Sequence, residues 1–368
     1  QRQISAYATS SGTLTVRGTA LLTDGANLAT IRLHIYDRNK YVQSINDTSR
    51  ELYGRGYFWK DLDVMELVTG NILPNSHFRD WSASTVPDKY TLQDANITAT
   101  ASTTAGTYRG GGRSMKALAG ASGAGKYVYI SSDNYPRLLD LMGESVSLYC
   151  WAYPEVANDA YIEIYTKQAD GTAQTLTSTT TCPAGEFTLL ELEDQVINDD
   201  IVEIQFRFKI TTNVKYVYFD AARVNGISLK EYLLPTSFQT GNVERVYIQS
   251  SGYSDDICDD LHPTTWDEVW GWDYVRSDYK YLWFPYSYTG NRQIRLQGIA
   301  PLETLSSATD TISLDSPKID LLIARAKIDL FQILKSAPAS QDIGRYNDAL
   351  ADAWREYKKD ETNEANKE

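Results

Sequence analysis

"DIVEIQFRFKI", residues 200–210, alternates without a break. Val202, Ile204, Phe206, Phe208 and Ile210 fall on one side of an extended chain, and Glu203, Gln205, Arg207 and Lys209 on the other. A period of two is that of a strand with one face in a core and one in water. Its surroundings repeat the pattern. In "GESVSLYCWAYP" (143–154), Val146, Leu148, Cys150 and Ala152 oppose Ser147, Tyr149, Trp151 and Tyr153. In "DAYIEIYTKQADG" (159–171), Ile162 and Ile164 oppose Tyr161, Glu163 and Tyr165, and Asp170-Gly171 reads as a tight turn. "VKYVYFDAARVNGISL" (214–229) closes the run. Closely spaced strands with Gly, Asp and Pro turns predict an all-β two-sheet sandwich over residues 71–229.

The bulk properties fit a surface-contacting β protein. The chain has 368 residues, enough for two or three domains at about 100–200 residues each. Tyrosine is abundant (26, beside 8 tryptophans), which favours strands and interfaces. The net charge of −13 argues against a general nucleic-acid binder, which needs clustered Lys and Arg. Three cysteines, Cys150, Cys182 and Cys258, form neither a disulfide framework nor a metal-ligand spacing. A reducing, cytosolic site of synthesis is the expectation, and with no long apolar run or charged-then-apolar leader, so is the absence of a membrane partner.

The sandwich opens on "NILPNSHFRDW" (71–81), a turn leading to two large anchors, Phe78 and Trp81. This opening, "GRSMKAL" (112–118), "SLYCWAYP" (147–154) and "VYFDAARVNGISL" (217–229) fall in the order seen in jelly-roll carbohydrate-binding modules, which the segment resembles. In that family the opening is roughly Asn-Gly-x-Phe-Glu-x-Trp, and the closing strand carries Tyr/Ile-x-Asp-Asp-Val. Phe78, Trp81 and Asp220 match, while Ala221 stands at the second acid. The resemblance implies a glycan lying on aromatic side chains of the polar sheet face, with Tyr149, Trp151, Tyr161 and Tyr165 as candidates and Gln205 and Arg207 as hydrogen-bonding neighbours. It also implies a structural calcium with Asp220 as one ligand. No other cofactor is expected. The competing reading of the aromatic face is packing against another domain or subunit.

The flanks, residues 1–70 and 230–368, read as one domain cut in two. A strand at "GTLTVRGTALL" (12–22) precedes a helix over Asp37–Tyr53, with Tyr41, Val42, Ile45 and Leu52 as its apolar stripe and Phe58 and Trp59 as anchors beyond it. "VERVYIQSSG" (243–252), Tyr279, Tyr281, Trp283 and "RQIRLQGI" (292–299) read as strands, the last two around a turn at 288–291. "LDSPKIDLLIARAKIDLFQIL" (314–334) reads as a helix capped by Ser316 and Pro317, with Ile319, Leu322, Ile323, Ala326, Leu330, Phe331 and Leu334 as its core stripe. A second helix, Ser340–Lys358, places Ile343, Tyr346, Leu350, Trp354 and Tyr357 on one face, and the charged end reads as frayed. In layout these flanks resemble the head-to-tail connector (adaptor or neck) proteins of tailed bacteriophages. That resemblance implies a virion protein assembled in the host cytoplasm as a homo-oligomeric ring, dodecameric, below a portal. The portal and other neck or tail proteins would be its partners, and DNA would pass through without specific binding. Trp266, Trp270, Trp272, Trp283 and Trp354 are the candidate interface or core anchors, because buried Trp dominates interface energetics.

Catalysis is not expected. The histidines His34, His77 and His262 are scattered, and "GASGAGKYV" (120–128) lacks the spacing of a phosphate-binding loop. "YRGGGR" (108–113) is a loop. The acidic pairs Asp255-Asp256, Asp259-Asp260, Glu191/Glu193 and Asp267-Glu268 read as solvated or capping rather than as a glycosidase pair. The expectation is therefore an α+β multidomain chain. A small helical-bundle/β connector domain is interrupted by an all-β jelly-roll sandwich that is removable without unfolding the rest, and the protein forms a neck ring with an outward decoration. The alternative is a glycan-binding adhesion or receptor protein whose sandwich binds polysaccharide.

Overall fold

The computed structural model describes residues 4–8, 13–16, 38–57, 59–109, 112–122, 125–250, 265–276, 280–288, 291–307, 310–312, 314, 316–335 and 343–365. His34, Phe58, the acidic pairs of 255–260, Cys258, His262, Tyr279 and the centre of the 288–291 turn lie outside them. So do the side chains of Ser316, Pro317, Leu334, Ile343 and Tyr346. In chain order, a hairpin of β1 (Ile4–Ala8) and β2 (Thr13–Val16) precedes helix α1 (Arg38–Gly54) and strand β3 (Lys60–Val68). The central run is β4 (Thr91–Leu92), β5 (Ile97–Ser102), β6 (Ser114–Ala119), β7 (Lys126–Ser131), β8 (Ser145–Pro154), β9 (Ala160–Gln168), β10 (Ala173–Thr177), β11 (Thr188–Val196), β12 (Ile201–Ile210) and β13 (Tyr216–Asn225). There follow β14 (Leu229–Leu233), the short α2 (Thr236–Thr240), β15 (Asn242–Gln249), β16 (Trp266–Glu268), β17 (Asp273–Arg276), β18 (Lys280–Tyr288), β19 (Gln293–Ala300), α3 (Ser316–Lys335) and α4 (Ile343–Ala365).

The central strands make two five-stranded antiparallel sheets. The first has the order β10-β9-β12-β7-β4 and the second β11-β8-β13-β6-β5. Ile130, Ile162, Ile164, Ile204, Phe206, Phe208 and Ile210 of the first sheet, and Met115, Leu148, Cys150, Leu190, Val217 and Phe219 of the second, are wholly buried in one core. Burying each large side chain stabilises by about 1.5–3 kcal/mol. Phe78 enters the same core, edge-on to Phe208 with ring centres 5.4 Å apart. The alternation fails at one residue. A register shift between Ile201 and Glu203 lets Ile201 fill the core and leaves Val202 54% exposed.

The flanks fold chiefly into sheets as well: a three-stranded β14-β18-β17 and a four-stranded β16-β15-β19-β3. The latter owes its closeness to Gly298, where a Cβ would lie 2.0 Å from the Asn242 carbonyl oxygen. One continuous hydrophobic cluster runs from the two central sheets into these flanking ones, through Leu67, Ile72, Leu138, Leu229, Tyr232, Phe284 and Leu296. Polar contacts stitch the same seam. The Asn71 side chain accepts from the Leu73 and Val224 backbone N–H groups (3.1 and 2.9 Å) and donates to the Ala222 carbonyl (3.2 Å). Arg79 pairs with Glu66 at 3.1 Å. Asp80 accepts from the Thr236 N–H at 2.9 Å. Arg137 donates to the Glu231 carbonyl at 3.2 Å.

These findings overturn the expected α+β organisation of a helical-bundle connector interrupted by a jelly roll. Of the described residues, 43% are strand and 21% helix, so they are mostly β. Helices α1, α3 and α4 form one satellite, packed around Leu52, Leu321, Leu322, Ala324, Ile328, Ala353 and Tyr357, while α2 sets Phe238 in the main core. The α3 stripe also differs from the sequence reading. Leu321, Ala324 and Ile328 face inward, and Ile323 is 46% exposed. Arg325 bridges Glu51 and Asp329 within this satellite. Helix α4 continues beyond Lys358 to Ala365.

Candidate functional site

Each central sheet buries one face in the shared core and turns the other away from it, and on the second sheet that other face is itself largely covered, with Tyr149, Trp151 and Tyr218 at 4%, 8% and 9% exposure. On the outward face of the first sheet, register places Tyr161, Glu163 and Tyr165 of β9 beside Lys209, Arg207 and Gln205 of β12, which lie beside Tyr127, Tyr129 and Ser131 of β7. Neighbouring strands are about 4.8 Å apart, so these three strands span about 10 Å.

Arg207 is the centre of this face. Its guanidinium carbon lies 3.9 Å from the Tyr165 ring centre and 4.4 Å from that of Tyr127. Its Nε donates to Gln205 Oε1 at 2.8 Å, and Gln205 Nε2 donates to Glu203. Tyr127 in turn meets Tyr129 edge-on, ring centres 5.7 Å apart. Partial burial, and then the neighbouring Tyr127 and Glu203, hold the Tyr129 hydroxyl above its ordinary value. Glu163 is 3% exposed and is neutralised by Lys209 Nζ at 2.6 Å, with the Thr177 hydroxyl donating at 3.3 Å. The face carries half-buried tyrosine rings with donors and acceptors between them; Lys209 and Glu163 form an ion pair, while Arg207 and Glu203 are linked through the Gln205 amide.

The structure divides the six sequence-derived glycan candidates. Tyr161, Tyr165, Gln205 and Arg207 share the platform. Tyr149 and Trp151 lie on β8, in the opposite sheet. The Tyr149 hydroxyl donates to Glu193 at 2.9 Å, and burial together with that bond pushes it up to about 12. Trp151 is 8% exposed beneath the Arg109 guanidinium, 3.9 Å from its ring centre. The platform members the sequence reading missed are Tyr127 and Tyr129, in "KYVYIS" (126–131). Their alternation with Val128 and Ile130 carries the same signal.

Asp220 is wholly buried on β13. Its carboxylate accepts from the Arg109 and Ala221 backbone N–H groups, both at 2.7 Å, and lies 3.8 Å from His77 Nδ1. Donors of this kind compete with a calcium ion, which takes six to eight oxygens. Among the described residues, no group of three or more His, Cys, Asp or Glu is placed to hold a metal. The tryptophan anchors have separate settings. Trp272 packs on the main core, Trp266 and Trp283 are half-buried, and Trp270 is 77% exposed. Trp354 meets Tyr357 edge-on at 5.9 Å. Among the described residues, no helix is long and apolar enough to cross a membrane.

No family model and no curated protein matches this chain. Solved structures similar to part of it include the enzymatically active domain of bacteriophage CBA120 tailspike protein 4 (14% identity, 43% of this chain and 22% of that one, TM-score 0.33). The C-terminal family 22 carbohydrate-binding module of Clostridium thermocellum Xyn10B is another (13% identity, 43% and 93%, TM-score 0.35). A third is the module TmCBM61, solved in complex with β-1,4-galactotriose (11% identity, 43% and 99%, TM-score 0.28). The chain thus spans about a fifth of the tailspike domain's length. At this level such likenesses establish no family membership.

Proposed function

We propose that this protein is a glycan-binding protein whose binding surface is the outward face of the first central sheet. The observation that carries the reading is Arg207 held between the Tyr165 and Tyr127 rings, with Gln205 fixed by its Nε. A sugar presents an apolar C–H face and a rim of hydroxyls. Amphipathic rings serve the first, and a planar guanidinium with amide and carboxylate neighbours serves the second. Because the buried Glu163 is paired with Lys209, and Arg207 is engaged by two rings and the Gln205 amide, a neutral polysaccharide suits the platform best. The protein acts here as a binder without chemistry of its own, since Glu163 is committed to Lys209 and Glu203 to Gln205. Within a phage particle such a surface would serve attachment. Among the described residues, nothing favours a dodecameric neck ring, portal or tail partners, or a DNA passage, and those readings are not adopted.

The test is affinity electrophoresis of the purified chain in gels containing xylan, β-1,4-galactan or another neutral polysaccharide, with Tyr165→Ala and Arg207→Ala beside it. Retardation by at least one polymer, lost in both variants, is the expected result. Absence of retardation across the neutral panel would sink the proposal, as would retardation untouched by either substitution.

A further inference from the structure

The outward face of the second sheet carries an aromatic ribbon that the first site does not use. Phe187, just before β11, meets Tyr153 of β8 with ring centres 5.2 Å apart. Tyr153 meets Tyr218 of β13 at 5.8 Å, and Tyr218 meets Tyr216 at 5.2 Å. At the Phe187 end the ribbon joins Trp151, which packs with Phe187 and Leu189. Each end carries a cation. Lys116 Nζ stands 4.3 Å from the Tyr216 ring centre, and the exposed Arg109 guanidinium stands over Trp151.

The charge arrangement differs from that of the first face. There each cation has an acidic or amide partner. Here, among the described residues, neither Lys116 nor Arg109 forms an ion pair. The nearby carboxylate of Glu155 is committed to Lys215 at 2.8 Å and to the Tyr216 N–H at 3.3 Å. Trp151 adds a second sign of a missing partner: its indole Nε1 is buried and has no hydrogen-bond acceptor among the described residues. A buried donor in that state is destabilising. Rings that stack sugars, flanked by two cations that form no ion pair among the described residues, call for a ligand that brings both sugar faces and anionic oxygens.

We propose that this ribbon is a second glycan site, for an acidic polysaccharide whose uronate carboxylates pair with Lys116 and Arg109 while its rings lie on Tyr216, Tyr153 and Phe187. The site is separate in residues and sheet from the first platform, and neither depends on the other. The two faces of the central sheets would then bind two different polymers, one neutral and one acidic.

The experiment is affinity electrophoresis in polygalacturonate and in the same polymer fully methyl-esterified, which keeps the sugar backbone and removes the charge. The wild-type chain should be retarded by the acid form, less by the ester, and less again as salt is raised. Lys116→Gln should weaken binding to the acid form at least tenfold and remove the preference over the ester. Arg109→Gln, at an exposed position, should weaken it from the other end. Arg207→Ala should leave it unchanged, which separates this site from the first. The thermal midpoint of each variant checks that the fold is retained. No retardation by polygalacturonate, equal retardation by acid and ester, or loss on Arg207→Ala with none on Lys116→Gln and Arg109→Gln would each overturn the proposal.

Discussion

The Arg207 guanidinium lies 3.9 Å from the centre of the Tyr165 ring, across the β12–β9 pair, and reaches Tyr127 on the opposite strand. One cation therefore sets the orientation of rings on both of its neighbours. Each contact is worth about 0.5–2 kcal/mol, depending on how far it is desolvated. Removing Arg207 frees both rings and leaves Gln205 Oε1 without its donor. Arg207→Ala should weaken binding to the neutral glycan about tenfold or more, about 1.4 kcal/mol, measured by isothermal titration calorimetry. Arg207→Lys should recover little of it, because an ammonium cannot lie flat between rings and donate in their plane. Full affinity in Arg207→Lys would show that charge alone matters.

Gly298 supplies a stability prediction away from the site. A Cβ there would lie 2.0 Å from the Asn242 carbonyl oxygen and 2.9 Å from Val243 Cα. Both are backbone atoms of the neighbouring strand, which cannot rotate away. Gly298→Ala should separate β15 from β19 locally and cost about 1–3 kcal/mol or more, read as a lowered denaturant midpoint. An unchanged midpoint would mean that the two strands are not held this closely.

What the sequence made legible follows from what a period of two encodes. It tells which side chains leave the core, and Tyr161, Tyr165, Gln205 and Arg207 do share one sheet face. It does not tell which sheet a strand joins. Tyr149 and Trp151 obey the same alternation and face out of the opposite sheet, because β8 pairs with β11 and β13 rather than with β9. Pairing is decided by contacts between strands far apart in sequence, which no local pattern records. Val202 failed for a different reason: the register shift beside it inserts a residue that periodicity cannot foresee. The bounds of α1 and α3 were legible to within two residues, since amphipathic helices carry their signal locally, but their apolar stripes were not, with Tyr41 37% and Ile323 46% exposed. The strands between them were under-weighted, and an expected bundle with sheets proved to be sheets with a bundle.

Glu66 gives the molecule a pH dependence with a definite sign. It lies on β3 against Arg79, Asp80 and Arg113, where burial outweighs the pull of Arg79 and pushes its carboxyl up to about 7 from an ordinary 4.5. The folded chain then holds this proton more tightly than the unfolded chain between those two values. Stability from this group is full below about 4.5, falls as pH rises towards about 7, and is flat above. The whole change is on the order of 3 kcal/mol. His77, whose pKa burial lowers, acts in the opposite sense below its ordinary value of 6.5, so the effect is isolated only by comparison. Glu66→Gln should flatten the fall between pH 5 and 8 in urea titrations, gaining on wild type as pH rises. A wild-type-minus-variant difference that does not change over this range would refute the assignment.

The seam around Asn71 decides whether residues 71–229 can be lifted out. By sequence, a sandwich with adjacent ends inserted in a host loop should be removable, since closing the gap costs little. The ends do lie together, with Asn71 clasping the Val224 N–H at 2.9 Å. The core, however, does not stop there. Leu67 of β3 and Tyr232 of β14, which the deletion would leave in place, belong to the same buried cluster as Leu138 and Leu141, which it would remove. Deleting 71–229 and joining 70 to 230 by a Gly/Ser linker should expose that apolar surface and free the Arg79 and Arg137 partners on Glu66 and Glu231. The remaining strands should lose cooperative unfolding, seen by near-ultraviolet circular dichroism. The α1–α3–α4 satellite, which has a core of its own, should keep its helical signal. A cooperative transition with native-like aromatic signal in the shortened chain would show that the flanking sheets stand alone.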